Sequence, residues 1–436
     1  MSAKILRGRV LSFMREPQGA DDHEAYQYFE DGAVTISDGK IVAVGPFSAS
    51  AEGEVVDHRP HLIMPGFIDL HLHYVQAQVV ASYAGSLLEW LNSYTFVEEQ
   101  QFAHQGHAGA IASAFFDELI RNGTTTAVAY CSSHPQSVDA FFAEAEKRNM
   151  LMVGGKVMMD RNAPEALCDT AQSSYDDTRS LIDRWHGRGR AFYAISPRFA
   201  ITSTPEQMAA AQTLVSEFPD CYVQTHLSEN DAEISFSMQL YPDAKDYTGI
   251  YEDYGLLGSK TLLGHCIHLN HREACVLAET RAVAVFCPTS NLFLGSGLFD
   301  RDRMAADGVR IGVATDIGGG TDYGMLATMA EGYKVLQLRG QRLNPLQSFY
   351  MMTLGNAQAL SLERTIGRVA PGNAADLVVL DAGATPAMAL RQKTIASLSE
   401  ELFLLQTLGD DRSVVEVYIA GERTKFALEG LADALA

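Results

Sequence analysis

Two histidines two residues apart are the clearest candidates in this sequence for residues with a chemical role. His71 and His73 end an apolar segment, 62–70, which predicts a buried strand. Residues i and i+2 of a strand point to the same side, so both imidazoles can reach one metal ion. A parallel barrel carries its chemistry at the carboxyl ends of such strands. The pair therefore predicts part of a metal site, and two hydrogen-bonded histidines without a metal are the alternative.

More polar residues fall at the ends of later predicted strands. His226 lies near the end of the fifth strand, His265 ends the sixth and Asp316 ends the eighth. In a barrel, all of these ends surround the same mouth. Imidazoles and a carboxylate suit Zn²⁺ or Fe²⁺ and leave one position open for water. Each residue alone would fit ordinary packing, but five at the ends of four strands favour a metal centre.

Eight strand-like segments alternate with helix-like segments along the middle of the chain. The helix-like segments, such as 109–121 and 205–218, have helical apolar spacing and polar or small starts. Eight parallel strand–helix units predict an α/β fold, a (β/α)8 TIM barrel. The predicted strands are 62–73, 124–130, 151–159, 191–199, 221–229, 261–266, 282–291 and 309–318.

Both ends of the chain have a different character, with short strands and turns. Segments 33–37 and 40–44 flank Asp38-Gly39, which predicts a hairpin, and 375–381 and 414–420 are strand-like. Neither end can bury a core alone. We therefore expect a small β-sandwich domain formed from both termini. The predicted division is 1–64 with 366–436 for this domain, and 65–365 for the catalytic barrel.

Composition excludes several classes of protein. The 436 residues include 47% hydrophobic and 20% charged residues, which is typical of a globular enzyme. The net charge of −21 would repel phosphate backbones, so nucleic acid is not an expected partner. Six scattered cysteines argue against a zinc ribbon or a disulfide framework. No signal peptide or membrane-spanning segment is recognisable, so we expect a cytoplasmic location without membrane contact.

The chain resembles the amidohydrolase superfamily over nearly its whole length, and within it the guanine deaminases. One departure is Val97, where proline is expected after Thr95-Phe96, and we expect it to alter only a loop near the site. The motifs that carry the resemblance are PGFIDLHLH (65–73), LLEWLNSYTF (87–96), RNGTTTA (121–127), HPQSVDA (134–140), KVMMDRNAP (156–164), SPRFA (196–200), HLSEN (226–230), GHC (264–266), CPTSNLFLGSG (287–297) and TDIGGG (315–320).

This resemblance implies hydrolytic deamination of guanine to xanthine and ammonia, a step of purine catabolism. It implies one metal ion, Zn²⁺ with Fe²⁺ as the alternative, held by His71, His73, His226 and Asp316. His265 is then either a further ligand or a hydrogen-bond partner of the metal-bound water. Asp316 serves as the general base, and Glu229 protonates the ring nitrogen next to C2 and transfers a proton to the departing ammonia.

The resemblance also assigns the purine-binding residues and the oligomer. Tyr74, Gln76, Arg198 and Phe199 match purine-binding positions, to which His226, Glu229 and Asp316 are added. Arg198 offers fixed donors for the O6 or N7 edge, Gln76 offers a donor and an acceptor, and Phe199 closes one face. Packing roles remain the alternatives, a salt bridge for Arg198 and a core position for Phe199. Because dimers are common in the family, a homodimer is expected.

Three other functions are alternatives to this hypothesis. The first is a binuclear amide or lactam hydrolase, which needs a carboxylated lysine at the end of strand 4. Arg198 lies at that position, and the lysine nearest in the sequence, Lys156, lies in strand 3. A related mononuclear aminohydrolase would act on another purine, pterin or pyrimidine base such as 8-oxoguanine, although Gln76 with Arg198 favours guanine. A scaffold without catalytic activity is the third, and the complete set of ligands argues against it.

Overall fold

Sixteen strands and their connecting helices make up the computed structural model, which describes residues 3–50, 52–83 and 86–425. The strands fall into two sheets, one in the middle of the chain and one built from its two ends. They are β1 (Lys4–Phe13), β2 (Tyr26–Ser37), β3 (Lys40–Pro46), β4 (Glu54–Pro65), β5 (Phe67–His73), β6 (Thr124–Tyr130), β7 (Leu151–Gly155), β8 (Val157–Met158), β9 (Ala191–Pro197), β10 (Tyr222–Leu227), β11 (Thr261–His265), β12 (Val283–Phe286), β13 (Arg310–Val313), β14 (Leu377–Leu380), β15 (Val414–Ile419) and β16 (Glu422–Arg423).

The middle sheet is the predicted barrel. Eight parallel strands lie in the order β5-β6-β7-β9-β10-β11-β12-β13, and the short β8 pairs with β9. Most of their side chains are buried on both faces, as parallel strands covered by helices require. The α/β barrel prediction is therefore confirmed, with all eight strands near their predicted positions.

Helices cover the outside of the barrel, and several begin with the caps that their sequences predict. Thr170, Thr204, Asn230 and Asn270 each accept a backbone hydrogen bond at the start of a helix. None of the helices that the structure describes is long and apolar enough to span a membrane. The α-helices are α1 (Leu87–Trp90), α2 (Phe96–Glu99), α3 (Gln105–Arg121), α4 (Pro135–Lys147), α5 (Ala171–Trp185), α6 (Pro205–Glu217), α7 (Asp231–Leu240), α8 (Tyr247–Asp253), α9 (His271–Thr280), α10 (Pro288–Phe293), α11 (Arg301–Ala306), α12 (Met325–Leu338), α13 (Pro345–Tyr350), α14 (Asn356–Ala359), α15 (Pro386–Gln392) and α16 (Leu398–Leu408).

Two predicted strands need correction. The segment 62–73 is not one strand, because β4 pairs with β1 and β14 in the terminal sheet while β5 pairs with β6 in the barrel. The chain passes between the sheets at Gly66, where a Cβ would lie 2.3 Å from the Thr125 side chain. The segment 282–291 is strand only as far as Phe286, because Pro288 starts a helix, a position that proline favours.

The two ends of the chain form one seven-stranded mixed sheet, as the composite β domain predicted. Its strand order is β16-β15-β14-β4-β1-β2-β3, so the C-terminal strands extend the sheet that the N-terminal strands begin. The predicted hairpin is present, with φ of +50° at Asp38 and +75° at Gly39, as a tight two-residue turn requires. Residues 1–2, 51 and 426–436 of the predicted domain, and 84–85 of the predicted barrel, lie outside the described residues.

The barrel has one seam, between β5 and β13, where no strand ladder forms in the described structure. The buried Asn356 side chain bridges it. Its Nδ2 donates to the carbonyls of Ile68 (2.6 Å) and Val313 (2.9 Å), and its Oδ1 accepts from the Val313 N–H (3.0 Å). One amide thus satisfies three backbone groups and joins the first strand to the last.

We expect Asn356→Ala to lower the free energy of unfolding by about 2–4 kcal/mol, because it leaves buried backbone groups without partners. Urea denaturation followed by circular dichroism would measure this. Asn122→Ala is the control, since that half-buried amide donates only to the Glu118 carbonyl of its own helix. Equal stability of both variants would show that Asn356 does not hold the seam.

Candidate active site

His71 and His73 project from the end of β5 towards Asp316, which follows β13 across the seam. Their Nε2 atoms lie 3.4 Å and 3.6 Å from Asp316 Oδ1. His226, near the end of β10, brings its Nε2 to 3.1 Å from the Nε2 of His73. The spacing of two residues therefore places both histidines of β5 on one side, as expected for a strand.

His265 and Glu229 complete the mouth of the barrel. His265 Nε2 lies 3.5 Å from Glu229 Oε2 and 3.7 Å from Asp316 Oδ2. The backbone turns sharply after the strands, with φ of +71° at His265 and +55° at Asp316. Such left-handed conformations are uncommon for residues other than glycine and often mark functional sites. The five predicted ligand residues and Glu229 are thus brought together.

Three overlapping groups of side chains have ligand atoms within 4.8 Å of one another, close enough to hold a metal ion. The third includes Cys287, which the sequence did not indicate as a ligand. Burial raises the pKa of the Cys287 thiol well above its usual value, and Sγ donates to the Val285 carbonyl at 3.5 Å. A protonated thiol is a poor ligand, so the imidazoles and Asp316 are the better candidates. The groups are His71, His226 and His265; His71, His73 and Asp316; and His265, Cys287 and Asp316.

The histidines are held in the form that metal ligation requires. Burial lowers the pKa of His71, His73 and His226, which keeps their imidazoles neutral. The Nδ1 of His226 lies 2.7 Å from the Arg198 carbonyl, which can only accept, so this nitrogen carries the proton. The lone pair of Nε2 then faces the mouth. A hydrogen bond from the second ring nitrogen is typical of histidine ligands.

The two carboxylates at the mouth differ in acidity. Burial raises the pKa of Glu229, and the Asp316 charge adds to this effect. Burial alone would raise the pKa of Asp316, but the interactions of its carboxylate with the adjacent side chains of His71 and His265 outweigh burial and hold this pKa below its usual value. Ser296 Oγ donates to Glu229 Oε1 at 2.7 Å and fixes its position. The pair therefore offers one carboxyl with a raised pKa and one with a lowered pKa, as residues that act as acid and base often show.

Asp69 secures the relative position of the ligands on both sides of the seam. This buried carboxylate accepts from the backbone N–H of His71 (3.2 Å) and of Thr315 (3.2 Å). The Asp316 N–H donates to the His71 carbonyl at 2.9 Å just above it. The end of β5 and the residues after β13 are thus tied directly beneath the candidate metal centre.

A cavity, with about 390 Å³ of space that includes open solvent at its entrance, lies over the cluster. His73, His226, His265 and Asp316 line one side, with Glu229 beside them. The cavity also has an apolar wall. This wall consists of Leu87, Trp90, Leu91, Phe199 and Leu294.

Two predicted purine-binding residues line the cavity together and share a buried partner. Gln76 Nε2 donates to Glu99 Oε1 at 2.9 Å, and Arg198 Nη1 donates to both oxygens of Glu99 at 2.9 and 2.8 Å. Phe199 also lines the cavity, and its ring meets the His226 ring edge-on with centroids 6.2 Å apart. The salt bridge considered for Arg198 therefore exists, and it lies within the site.

Tyr74 does not lie where a substrate-binding residue should. Its fully buried hydroxyl donates to the Ser137 carbonyl at 2.5 Å, and its ring packs against Phe102 and Phe141. It does not line the cavity. Since Tyr74 directly follows His73, its side chain points to the opposite side of the chain. The prediction of a substrate contact through this side chain is therefore corrected to a packing role.

Sequence reasoning missed several residues that support the site. Glu99 gave no signal, because it stands beside Glu98 in a polar segment that resembles an exposed helix face. Asn291 and Ser296 fall within the motif CPTSNLFLGSG (287–297), but the motif does not indicate what these two side chains contact. Val97 lies in helix α2 and is 55% exposed, so the departure from proline changes a helix surface rather than a loop.

Lys156, the residue on which a binuclear site would depend, has another partner. Its fully buried ammonium forms a salt bridge with Asp169, which also accepts from Ser174 Oγ at 2.8 Å. Lys156 does not line the cavity. The position after strand β9 holds Arg198, whose guanidinium binds Glu99. The described residues therefore offer no bridging lysine at the mouth.

Comparison with known proteins gives matches over nearly the whole chain. The sequence profile of the amidohydrolase family matches residues 62–424. Guanine deaminase of Escherichia coli (strain K12) is 46% identical over 424 residues, covering 96% of this chain and 97% of that protein. The solved structure of E. coli guanine deaminase matches with a TM-score of 0.93 at 46% identity, covering 97% and 99% of the two chains. A guanine deaminase from C. acetobutylicum with guanine bound in its active site matches with a TM-score of 0.87 at 27% identity and the same coverage.

We expect Gly264→Ala to weaken binding of a divalent ion at the cluster by about tenfold or more, since displaced ligands cost this much affinity. A Cβ at Gly264 would lie 2.5 Å from Cε1 of His71 and push that imidazole aside. Calorimetric titration of the metal-depleted protein with Zn²⁺ would measure the change. Gly258→Ala is the control, because its Cβ would meet no atom within 4 Å. Unchanged affinity in Gly264→Ala would remove His71 from the site.

Proposed function

The chain belongs to the amidohydrolase family, and from this premise we propose that it is a guanine deaminase. It would hydrolyse guanine to xanthine and ammonia in purine catabolism. One observation carries the proposal: a single cavity joins the cluster of imidazoles and carboxylates to Gln76, Arg198 and Phe199. Similarity to guanine deaminases over nearly the whole length supports the choice of substrate.

The residues at the mouth fit one divalent metal ion, for which we propose Zn²⁺, with Fe²⁺ as the alternative. Four side chains would hold it: His71, His73, His226 and Asp316. The Nε2 of His71 is buried and has no hydrogen-bond partner in the described part of the chain, as expected of a ligand atom awaiting a cation. His265 would lie beside the ion or bind its water. Zinc lowers the pKa of a bound water to about 7 and thus makes a nucleophile available at neutral pH.

The side chains around the cavity supply the proton transfers. The attacking water transfers a proton to Asp316 while the water oxygen forms a bond to C2 of guanine. Glu229, whose pKa burial raises, donates a proton to the neighbouring ring nitrogen, so C2 becomes tetrahedral. The proton taken up by Asp316 then passes through Glu229 to the exocyclic amine, the C2–N bond breaks and ammonia leaves. The hydroxyl left on C2 returns its proton to Glu229 and becomes the C2 carbonyl of xanthine, while the ring nitrogen keeps its proton.

Gln76, Arg198 and Phe199 recognise the base. Arg198 donates to the acceptors of the O6 or N7 edge, and Gln76 binds the adjoining edge of the ring. Phe199 and the leucine and tryptophan side chains of the opposite wall cover the faces of the flat ring. These contacts orient C2 towards the metal centre.

We also propose that the enzyme works in the cytoplasm as a homodimer, without nucleic-acid or membrane partners. The boundaries proposed for its units are 1–64 with 366–436 for the β domain and 65–365 for the catalytic barrel. The acidic net charge of −21 supports the absence of nucleic acid. Sedimentation of the purified protein would test the dimer.

We expect the purified protein to release ammonia from guanine and to convert its ultraviolet spectrum to that of xanthine. A panel of 8-oxoguanine, a pterin, cytosine, adenine and guanine measures the preference. Guanine should give the highest kcat/KM, because adenine and cytosine lack a carbonyl beside a ring N–H, 8-oxoguanine carries a hydrogen at N7 where guanine has an acceptor, and a pterin has a larger ring system. Absence of guanine turnover with turnover of another base would replace the proposed substrate by that base.

We expect Glu229→Gln to retain about one metal ion per chain but to lose turnover by about 10²- to 10⁴-fold, as loss of a general acid does. Elemental analysis and steady-state kinetics measure the two effects. Glu273→Gln is the matched control, since this buried carboxylate accepts from the N–H groups of Thr248 (3.1 Å) and Asn270 (2.8 Å), outside the cavity. Near-normal turnover in Glu229→Gln would contradict the mechanism, and two ions per chain would favour a binuclear enzyme.

A further inference from the structure

We infer that Glu99 is a positioning residue that sets which hydrogen-bonding groups Gln76 and Arg198 present to the base. Through it, the cavity would select a ring in which a carbonyl stands next to a ring N–H. The inference rests on the proposed function for its substrate, but the arrangement itself can be tested without turnover.

The contacts place Glu99 between the two residues that recognise the base. Glu99 is the last residue of α2, and its side chain is completely buried. Gln76, from the 3-10 turn Tyr74–Val79 after β5, reaches it with Nε2, and Arg198, directly after β9, reaches it with Nη1. The guanidinium also lies 5.3 Å from the centre of the Phe96 ring, on the same helix as Glu99. One short helix thus holds two distant parts of the barrel mouth.

Glu99 decides which end of the Gln76 amide faces the cavity. A carboxylate only accepts hydrogen bonds, so the amide must turn its nitrogen towards Glu99. The Oε1 atom of Gln76 then points away from Glu99 and makes no hydrogen bond to any described residue. Because Gln76 lines the cavity, this oxygen is available to accept from a ligand N–H.

Glu99 also fixes which donors of Arg198 remain free. Both of its oxygens accept from Nη1, at 2.9 and 2.8 Å, which directs that nitrogen towards Glu99. In the described chain, Nε and Nη2 make no hydrogen bond to protein. They remain to donate to a ligand carbonyl. Since the guanidinium is planar and held at one nitrogen, the direction of these donors is fixed as well.

An acceptor beside fixed donors is complementary to the –C(=O)–NH– edge of guanine, where O6 accepts and N1–H donates. Adenine presents the opposite order, with an exocyclic N–H donor at C6 and an acceptor at N1. A site built for one order strongly rejects the other, because its own buried groups would be left unpaired. Without Glu99, the Gln76 amide could rotate and present its donor instead.

Ligands that do not react separate this role from the chemistry. Hypoxanthine has the –C(=O)–NH– edge but no amine at C2, and purine lacks both the carbonyl and the N1 proton. In Glu99→Gln, we expect the Kd for hypoxanthine to rise about tenfold to a hundredfold, as loss of a charge-assisted arrangement does. The Kd for purine should change by less than about threefold. Calorimetry on the metal-loaded protein measures both.

Glu99→Asp keeps the negative charge but withdraws it by one methylene, so it distinguishes positioning from a need for charge. We expect it to weaken hypoxanthine binding as well and to raise the KM for guanine more than it lowers kcat. Glu401→Gln is the matched control, since Glu401 forms a bidentate pair with Arg9 (2.6 and 2.6 Å) in another part of the molecule. That variant should bind hypoxanthine like the wild type.

Crystal structures of the wild type and of both Glu99 variants test the arrangement without any ligand. Gln76 and Arg198 should keep their hydrogen bonds in the wild type and adopt other rotamers when Glu99 is changed. Unchanged rotamers with unchanged hypoxanthine binding would overturn the inference, and so would an equal loss of purine binding. A wild type that binds hypoxanthine but does not turn over guanine would instead contradict the proposed function alone.

Discussion

The open seam between β5 and β13 is the constraint on which the candidate site depends. A continuous ladder of backbone hydrogen bonds across this seam would keep the backbone extended on both sides. Asp316, however, has a φ of +55°, which turns its carboxylate towards the histidines. Two backbone hydrogen bonds cross the seam, from the Asp316 N–H to the His71 carbonyl (2.9 Å) and from the His73 N–H to the Ile317 carbonyl, and side chains close the rest of it. Asn356 bridges the strands below, and Asp69 ties Thr315 to His71 above. The distances of 3.4 and 3.6 Å between Asp316 and the histidines of β5 are set by these bridges.

The charges around the cavity favour binding of a cation. The Asp316 carboxylate faces the mouth, and the Arg198 guanidinium is already paired with Glu99. The imidazoles of His71, His73 and His226, whose pKa values burial lowers, add little positive charge to offset this carboxylate. A divalent ion at the cluster would balance this negative charge, and low surrounding polarity strengthens the attraction. The buried pair of Glu99 and Arg198 gains little stability after desolvation, so its fixed geometry is the greater contribution.

Much of the fold and the ligand cluster could be predicted from the sequence, because both follow short-range rules. The alternation of strand-like and helix-like segments predicts a barrel, and the carboxyl ends of the strands of a barrel lie around one mouth. His71 and His73 share a side because their spacing is two residues. Tyr74 follows them but begins a 3-10 turn, and its ring packs against Phe102 and Phe141, so this side chain does not reach the cavity. Glu99 could not be predicted, because only the tertiary structure turns one acidic residue of α2 inwards. The division of 62–73 between two sheets could not be predicted either, because it depends on which distant strands pair with this segment.

A single segment after β12 holds in place the side chains that would transfer protons. Asn291 Oδ1 lies 2.9 Å from Nδ1 of His265, and Ser296 Oγ donates to Glu229 at 2.7 Å. The Ser296 N–H in turn donates to the Asn291 carbonyl at 2.8 Å, so the two supports are themselves linked. His265 ends β11 and Glu229 follows β10, yet one segment, helix α10 with the loop after it, contacts both side chains. Because the pKa of Glu229 is raised and that of Asp316 lowered, the proposed acid and the proposed base differ through their surroundings. Loops of this kind can adjust the proton-transfer groups while the strands keep the metal ligands in place.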